Sequence, residues 1–347
     1  MPQEIIFTND VAPALQAQIL SLSPAGLFIV ADSNTLPIAQ SLGLTQAHVI
    51  TIPAGDDNKN LDSLSLIWSE LQRLGATRQS LLICVGGGMV TDIGGFAAAS
   101  FKRGIRFINV PTSLLGAVDA AVGGKTGINF HNLKNEIGAF APAQAVIISS
   151  CFLGSLPHCE LLSGFAEMIK HALLSGEKEL SELLATDLAE LDPERMLSLI
   201  RTSVMVKRDI VLKDPHESGV RKALNLGHTV GHAFESFALN AGRPAPHGYA
   251  VAWGLVTELV LSHMRFQFSS QLLHQVADFI GQHFGPFFIT CDDYDALLSL
   301  MAHDKKSRSG EINCTLLSHC GQFHTDVTVT PEDMTAALDI YRDLLHI

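Results

Sequence analysis

Hydrophobic and polar positions fall into two regimes along this chain of 347 residues. In the first, short apolar runs recur between helix-length segments: Gly26 to Asp32, His48 to Ile52, Leu81 to Val85, Ile105 to Val110 and Gln144 to Ile148. Runs this short, without polar alternation, predict strands covered on both faces. Between them, Leu61, Leu64, Ile67, Trp68, Leu71 and Leu74 keep a helical period from Asn60 until Gly75 stops it, and Met89 to Lys102 reads as a helix of small residues. Strands alternating with helices predict βαβ units and a mainly parallel sheet, an α/β domain. From Leu161 onward the period is helical almost throughout. The exception is Ile312 to Leu317 with Phe323 to Val329, a hairpin turning at His319-Cys320-Gly321, after which Thr330 caps and Pro331 opens a last helix. The chain is long for one core, so two domains are expected: 1–155, α/β, and 156–347, mostly α-helical.

Composition removes some partners. A net charge of −12 argues against nucleic acid and anionic membrane. No uninterrupted apolar run reaches the roughly 18 residues of a membrane span, and Met1-Pro2-Gln3-Glu4 lacks a signal-peptide pattern, so a cytoplasmic location is expected. The cysteines (Cys84, Cys151, Cys159, Cys291, Cys314, Cys320) form no C-x-x-C pair and read as small buried hydrophobes of a reducing compartment.

Candidate chemistry gathers at two places. In a parallel sheet, ligands sit at the carboxyl ends of strands beside the switch in strand order. Gly86-Gly87-Gly88 falls at such an end, where backbone amides and a helix N-terminus can meet a pyrophosphate. Asp92 lies one turn into that helix, Asp32 ends a strand where an acid commonly meets a ribose hydroxyl, and Pro111-Thr112-Ser113 follows another strand. The run is not G-x-G-x-x-G, and a tight strand-to-helix turn would use the same glycines. Val118 to Asn129 is glycine-rich around Lys125 but lacks P-loop spacing, and Lys134-Asn135 follows on an expected loop. In the second half, Glu167 and Lys170 stand three apart among Ala166, Met168, Ile169 and Ala172, which predicts a partly buried ion pair. His228 and His232, four apart, share one helix face, close enough either to hold one metal ion with a third ligand or to line a polar groove. His247 follows Arg243-Pro244-Ala245-Pro246, a stiff turn that aims it at the pair.

These pieces together resemble the 3-dehydroquinate synthases of the shikimate pathway. The resemblance runs through Gly86 to Gly88, Asp92 to Ala99, Arg103 to Ile105 and Pro111 to Leu115, then Val118-Asp119, Val122 to Asn129 and Lys134-Asn135. It continues in Gly164 to Lys170, Leu224 to His232, His247-Gly248 and Asp304-Lys305-Lys306. It implies a Rossmann-like N-terminal domain and a helical C-terminal domain with the active site in the cleft between them, usually in a homodimer, with NAD and a divalent metal, zinc or cobalt. By that resemblance Glu167, His232 and His247 hold the metal, and His228 supports a ligand from behind or orients substrate rather than binding the ion. Asp32, Asp56, Lys59, Gly87, Gly88, Asp92, Thr112, Ser113 and Lys134 match the nucleotide contacts. Asp119, Lys125, Asn135, Lys170, Lys207, Arg221, Asn225 and Lys305 match substrate contacts, as does Arg103, offered across the dimer.

The substrate implied is a small sugar phosphate, 3-deoxy-D-arabino-heptulosonate 7-phosphate, whose carboxylate and phosphate call for many cations in an otherwise acidic protein. The implied sequence is hydride transfer to NAD from C5, phosphate elimination after loss of the C6 proton, return of the hydride, ring opening and intramolecular aldol closure. Asp56 stands where the family usually has Glu, Thr91 where it has Gly, Ala117 for Gln, Ala120 for Ser, Glu136 for Leu and Tyr249 for Glu; Tyr249 bears on the surroundings of the metal. Three readings compete: a cyclase paralogue acting on another phosphorylated sugar, a metal-dependent polyol dehydrogenase, and a binding module without activity.

Overall fold

The computed structural model describes residues 3–131, 133–302 and 311–347. Lys305, with Asp304 and Lys306, therefore lies outside the described residues. The chain forms two compact units, Met1–Pro157 with Leu191–Val204, and His158–Glu190 with Met205–Ile347.

The first unit runs β1 (Glu4–Phe7), α1 (Val11–Leu22), β2 (Leu27–Asp32), α2 (Leu36–Ser41), β3 (His48–Ile52), α3 (Leu61–Arg73), β4 (Leu81–Gly86), α4 (Gly88–Ser100), β5 (Arg106–Pro111), β6 (Lys125–Phe130), β7 (Leu133–Phe140) and β8 (Ala145–Ile148). Six strands pair in the order β1-β8-β5-β4-β2-β3, parallel throughout. Every residue of β2 and β4 is buried, as uninterrupted apolar runs require. The chain steps from β2 to β3 on one side and returns to β4 on the other, so strand order reverses between β2 and β4. Asp32 and Gly86 end those two strands. Asn60 caps α3 by accepting from the amides of Asp62 and Ser63, and Leu64, Ile67 and Leu71 are fully buried beneath it. Each such side chain contributes about 1.5–3 kcal/mol over its exposed state.

The sequence leaves three features of this unit unmarked. β1 is four residues at the sheet edge, too short and too little buried to show a pattern. The glycine-rich run ends not in a loop but in the antiparallel hairpin β6–β7, so Lys134 and Asn135 sit on a strand. Seven of the eight β7 residues are exposed, which erases the apolar alternation that would reveal a strand. Leu191–Val204 packs with this unit through the Ser150 hydroxyl on the Pro193 carbonyl (2.7 Å), Asn9 on Glu194 (2.9 Å) and Arg201 over the Phe7 ring.

The second unit contains α5 (His158–Leu173), α6 (Glu177–Leu184), the later part of α7 (Pro193–Lys213), α8 (His228–Asn240), α9 (His247–Phe266), α10 (Ser270–Phe284), α11 (Tyr294–Ala302), the hairpin β9 (Ile312–His319) and β10 (Gln322–Val329), and α12 (Pro331–Leu344). α9 is its centre, buried from Ala250 to Ser262 without a break. Thr330 caps α12, with Pro331 in its first turn. The cysteines depart from expectation: all are free thiols, but Cys84 and Cys314 alone are buried, whereas Cys151, Cys159 and Cys291 are exposed. No helix of the described residues is long and apolar enough to cross a membrane.

Candidate active site

At the carboxyl edge of the parallel sheet, Gly87 caps α4 and Gly88 opens it. A Cβ on Gly87 would lie 3.2 Å from the Ser113 hydroxyl, and one on Gly88 3.1 Å from Ala120, so this turn is kept bare while Ser113 and the buried Thr112 close round it. Asp32, 8% exposed, uses Oδ1 to accept from the Asn34 and Thr35 amides and the Thr35 hydroxyl. Its Oδ2 makes no hydrogen bond among the described residues. Lys59 is buried and donates from Nζ to Asp92 and to Asn135 Oδ1, both at 2.5 Å. Asp56 stands 3.5 Å from Lys134 and accepts from Asn129, whose own Oδ1 receives the Asn135 amide at 3.0 Å. Asn129 thus ties nucleotide candidates (Asp56, Lys134) to a substrate candidate (Asn135), a part the sequence reading did not give it. Asp119 is half-buried in the helical turn Gly116–Ala120, while Lys125 and Arg103 are exposed. Arg103 sits at φ +67 on the turn after α4.

In the second unit, Glu167 is wholly buried on α5, and neither carboxylate oxygen accepts a well-formed hydrogen bond. Lys170, 1% exposed one turn on, forms an ion pair with it, so the expected partly buried pair is in fact fully buried. Two imidazoles face the same oxygen: Nε2 of His228 lies 3.4 Å and Nε2 of His247 3.7 Å from Glu167 Oε1. His228 Nδ1 donates to the Leu226 carbonyl at 3.1 Å, and His247 Nδ1 to Glu235 at 3.3 Å. With its Nδ1 proton committed, the neutral His228 ring turns an Nε2 lone pair towards the carboxylate, and His247, protonated when no cation is present, has an Nε2 proton that a cation would displace. Acceptors converging on an acceptor fit a cation between them, and His with Glu is a donor set of zinc sites.

Charge states follow from burial and neighbours. Burial and then the Lys170 ammonium hold the His228 pKa down at about 4. Burial opposes charge at His247 too, but bonding to Glu167 and Glu235 prevails and raises it to about 10. Burial alone would raise Glu167; Lys170 and His228 instead bring it well below the usual carboxylate range.

His232 completes the cluster, its ring centroid 5.4 Å from His228 and 6.0 Å from His247. Ligand atoms of Glu167, His228 and His247 lie within 4.8 Å of one another, and so do those of His232, Glu235 and His247. His247 belongs to both sets. It opens α9 after Pro246 rather than riding on a loop, because the helix starts directly behind the proline. Close backbone approach holds the three helices: a Cβ on Gly254 would stand 2.1 Å from the Gly227 carbonyl oxygen, and one on Gly248 2.0 Å from that of Ser163. Glu235 was readable in principle, since it falls one turn after His232 on the same helix. Tyr249 turns into an aromatic cluster with Trp253 and Phe284, ring centroids at 6.0 and 5.1 Å.

The anion-binding candidates are mostly buried, Lys207 at 6% and Arg221 at 3% exposure. Asp214 accepts from the amides of Ser218 (3.0 Å), Gly219 (2.6 Å) and Arg221 (3.1 Å), and Arg221 Nη1 reaches the Pro215 carbonyl at 2.5 Å. Asn225 donates to Glu217 at 3.3 Å.

Residues 49–163 match the family model for the 3-dehydroquinate synthase N-terminal region, and residues 164–307 the one for its C-terminal region. The chain belongs to the 3-dehydroquinate synthase family. The 3-dehydroquinate synthase of Parabacteroides distasonis is 46% identical over 346 residues, 98% of this chain and 98% of its own. That of Acinetobacter baylyi is 40% identical over 84% of this chain and 81% of its own. Among solved structures, a 2-deoxy-scyllo-inosose synthase complexed with carbaglucose-6-phosphate, NAD+ and Co2+ matches with a TM-score of 0.84 at 22% identity, covering 96% of this chain and 95% of that one. A 2-epi-5-epi-valiolone synthase from Streptomyces hygroscopicus with NAD+ and Zn2+ bound matches at 0.83 and 22%, covering 99% of this chain and 97% of that one. The last two share the fold; the sequence identity lies with the 3-dehydroquinate synthases. That difference separates the synthase from its cyclase paralogues, and the polyol dehydrogenase reading falls with it.

Proposed function

We propose that the synthase converts 3-deoxy-D-arabino-heptulosonate 7-phosphate to 3-dehydroquinate and phosphate, with Glu167, His228 and His247 holding a zinc ion and the glycine turn of the first unit holding NAD. The observation that carries the metal site is the convergence of the His228 and His247 Nε2 atoms on the buried Glu167 carboxylate. When bound, NAD takes up and returns a hydride and the divalent ion favours loss of a proton from the hydroxyls it holds. The chain's own residues supply the rest. Lys170 balances Glu167, so that this carboxylate stays ionised out of water. Glu235 fixes the tautomer of His247 and keeps Nε2 available as a ligand. Lys207 and Arg221 offer charge to the substrate's carboxylate and phosphate, with Arg221 held in place through Asp214. Asp32 Oδ2 suits a ribose hydroxyl at the reversal of strand order.

A second ligand set is the one the resemblance implies, Glu167 with His232 and His247; it is supported by the His232 ring lying 6.0 Å from that of His247, with its ligand atom within 4.8 Å of His247's. His228→Ala abolishes stoichiometric zinc under the first set and His232→Ala under the second; metal analysis of the two purified variants decides. A homodimer presenting Arg103 to its partner and a cytosolic setting complete the reading, supported by the exposed Arg103 turn and by six free thiols. Phosphate release from the heptulosonate phosphate, with catalytic NAD and no net NADH, tests the reaction. His247→Ala is expected to lose zinc and phosphate release together, and an active, zinc-replete variant would refute the assignment.

A further inference from the structure

Helix α8, which carries His228 and His232, begins without a side-chain cap of its own. Its N-cap is Gly227 at φ +78, and a Cβ there would press on Leu255 at 2.8 Å. No Ser, Thr, Asp or Asn fits, so the exposed amides of the first turn need an acceptor from elsewhere. Glu258 provides it from α9. This carboxylate is 0% exposed, and it accepts from the Gly227 amide through Oε2 at 2.7 Å and from the Val230 amide through Oε1 at 3.3 Å. Its helix position is itself fixed, because the Ser262 hydroxyl donates to the Glu258 carbonyl at 2.6 Å and accepts from the Leu317 amide at 2.9 Å.

A buried carboxylate is costly unless its hydrogen bonds are met, so this one resists sliding of α9 past the start of α8. The helix it belongs to begins with His247, eleven positions earlier (258 − 247), about three turns and therefore on nearly the same face. One rigid element thus presents an imidazole at its start and grips the first turn of the other imidazole helix further along. We infer that Glu258 is a positioning residue for the metal site, a cap donated between helices that fixes the spacing of His228 and His232 from His247. The inference rests on the metal reading above.

The test compares wild type with Glu258→Gln, which keeps the shape but replaces one acceptor oxygen by a donor facing a backbone amide. It is run well below the melting temperature of each protein. Zinc affinity is measured by competition with a chromophoric chelator, and ligand geometry by the visible absorption of the cobalt-loaded protein. Loss of a partner bonded directly to a ligating side chain costs about 10–100-fold in metal affinity; Glu258 acts through the backbone of the ligand helix, and a weakening up to that size is expected together with a changed cobalt spectrum and unchanged NAD affinity. If Glu258→Gln fails to fold, Glu258→Asp, which retracts the carboxylate by one methylene, is read in the same way. A lowered melting temperature with wild-type zinc affinity and cobalt spectrum would make Glu258 purely structural and overturn the inference. Wild type that binds neither zinc nor cobalt would instead overturn the metal reading, and this inference with it.

Discussion

At the scale of single residues, the site is decided by where protons and charges are allowed to be. Glu167 has no water to stabilise it and is held as an anion by Lys170 and two imidazoles. Removing one partner of a buried pair costs about 3–5 kcal/mol because the other charge is left uncompensated. Lys170→Met is therefore expected to lower the melting temperature of the metal-free protein sharply. Saturating zinc should recover much of that loss, since the ion supplies the missing positive charge; calorimetry with and without zinc checks both halves. Asp214 carries a second prediction. Burial would raise its pKa, but the amides of Gly219, Ser218 and Arg221 bring it to about 2. A carboxyl lowered on folding stabilises the protein fully above its unfolded value, near 3.9, and loses that contribution as pH falls towards 2. Urea denaturation from pH 5 down to the acid limit should show a shallower loss of stability in Asp214→Asn than in wild type, alongside a weaker protein at neutral pH.

At the scale of helices and strands, close backbone approach does what side chains do elsewhere. Gly254 lets α9 lie against the start of α8, and Gly254→Ala would drive a methyl group into the Gly227 carbonyl. Overpacking of that kind costs about 1–3 kcal/mol. Gly281→Ala on α10 meets only Leu345 at 3.4 Å and should be neutral or slightly stabilising; parallel thermal melts separate the two cases. The elements marked by an unbroken apolar run or a clear helical period were legible in the sequence: β2, β4, β5 and β8, the amphipathic α3, and the capped α12, and also β3, although as an edge strand it buries only Ile50 and Ile52 and not both faces as its run predicts. The hairpin β6–β7 was not, because β7 is exposed on both faces and leaves no period to read, and β6, at the end of the glycine-rich stretch, lacks the apolar run that would mark it. Likewise the histidine pair at helical spacing announced a metal-binding helix. That His247 opens a helix, that Glu235 orients it, and that Glu258 reaches across from α9 depend on contacts between segments far apart in the chain, which no local pattern encodes.

At the scale of the whole molecule, two kinds of chemistry occupy two compact units, each with its own core. The nucleotide candidates Asp32, Lys59, Gly87, Gly88 and Asp92 belong to the first unit, and Glu167, His228, His232 and His247 to the second. Most of this inventory was readable from residue order and motif alone. The path of the backbone was not, for the helical period of α7 runs through the unit boundary at Val204 without a break. That path has a consequence for how the gene can be handled. Because Leu191–Val204 belongs with the earlier unit, a single cut after Pro157 severs a short piece from the body it packs on. A cassette meant to carry the first unit into a chimera must bring that later piece along, and recombination between relatives that exchanges sequence at one point alone yields mismatched halves.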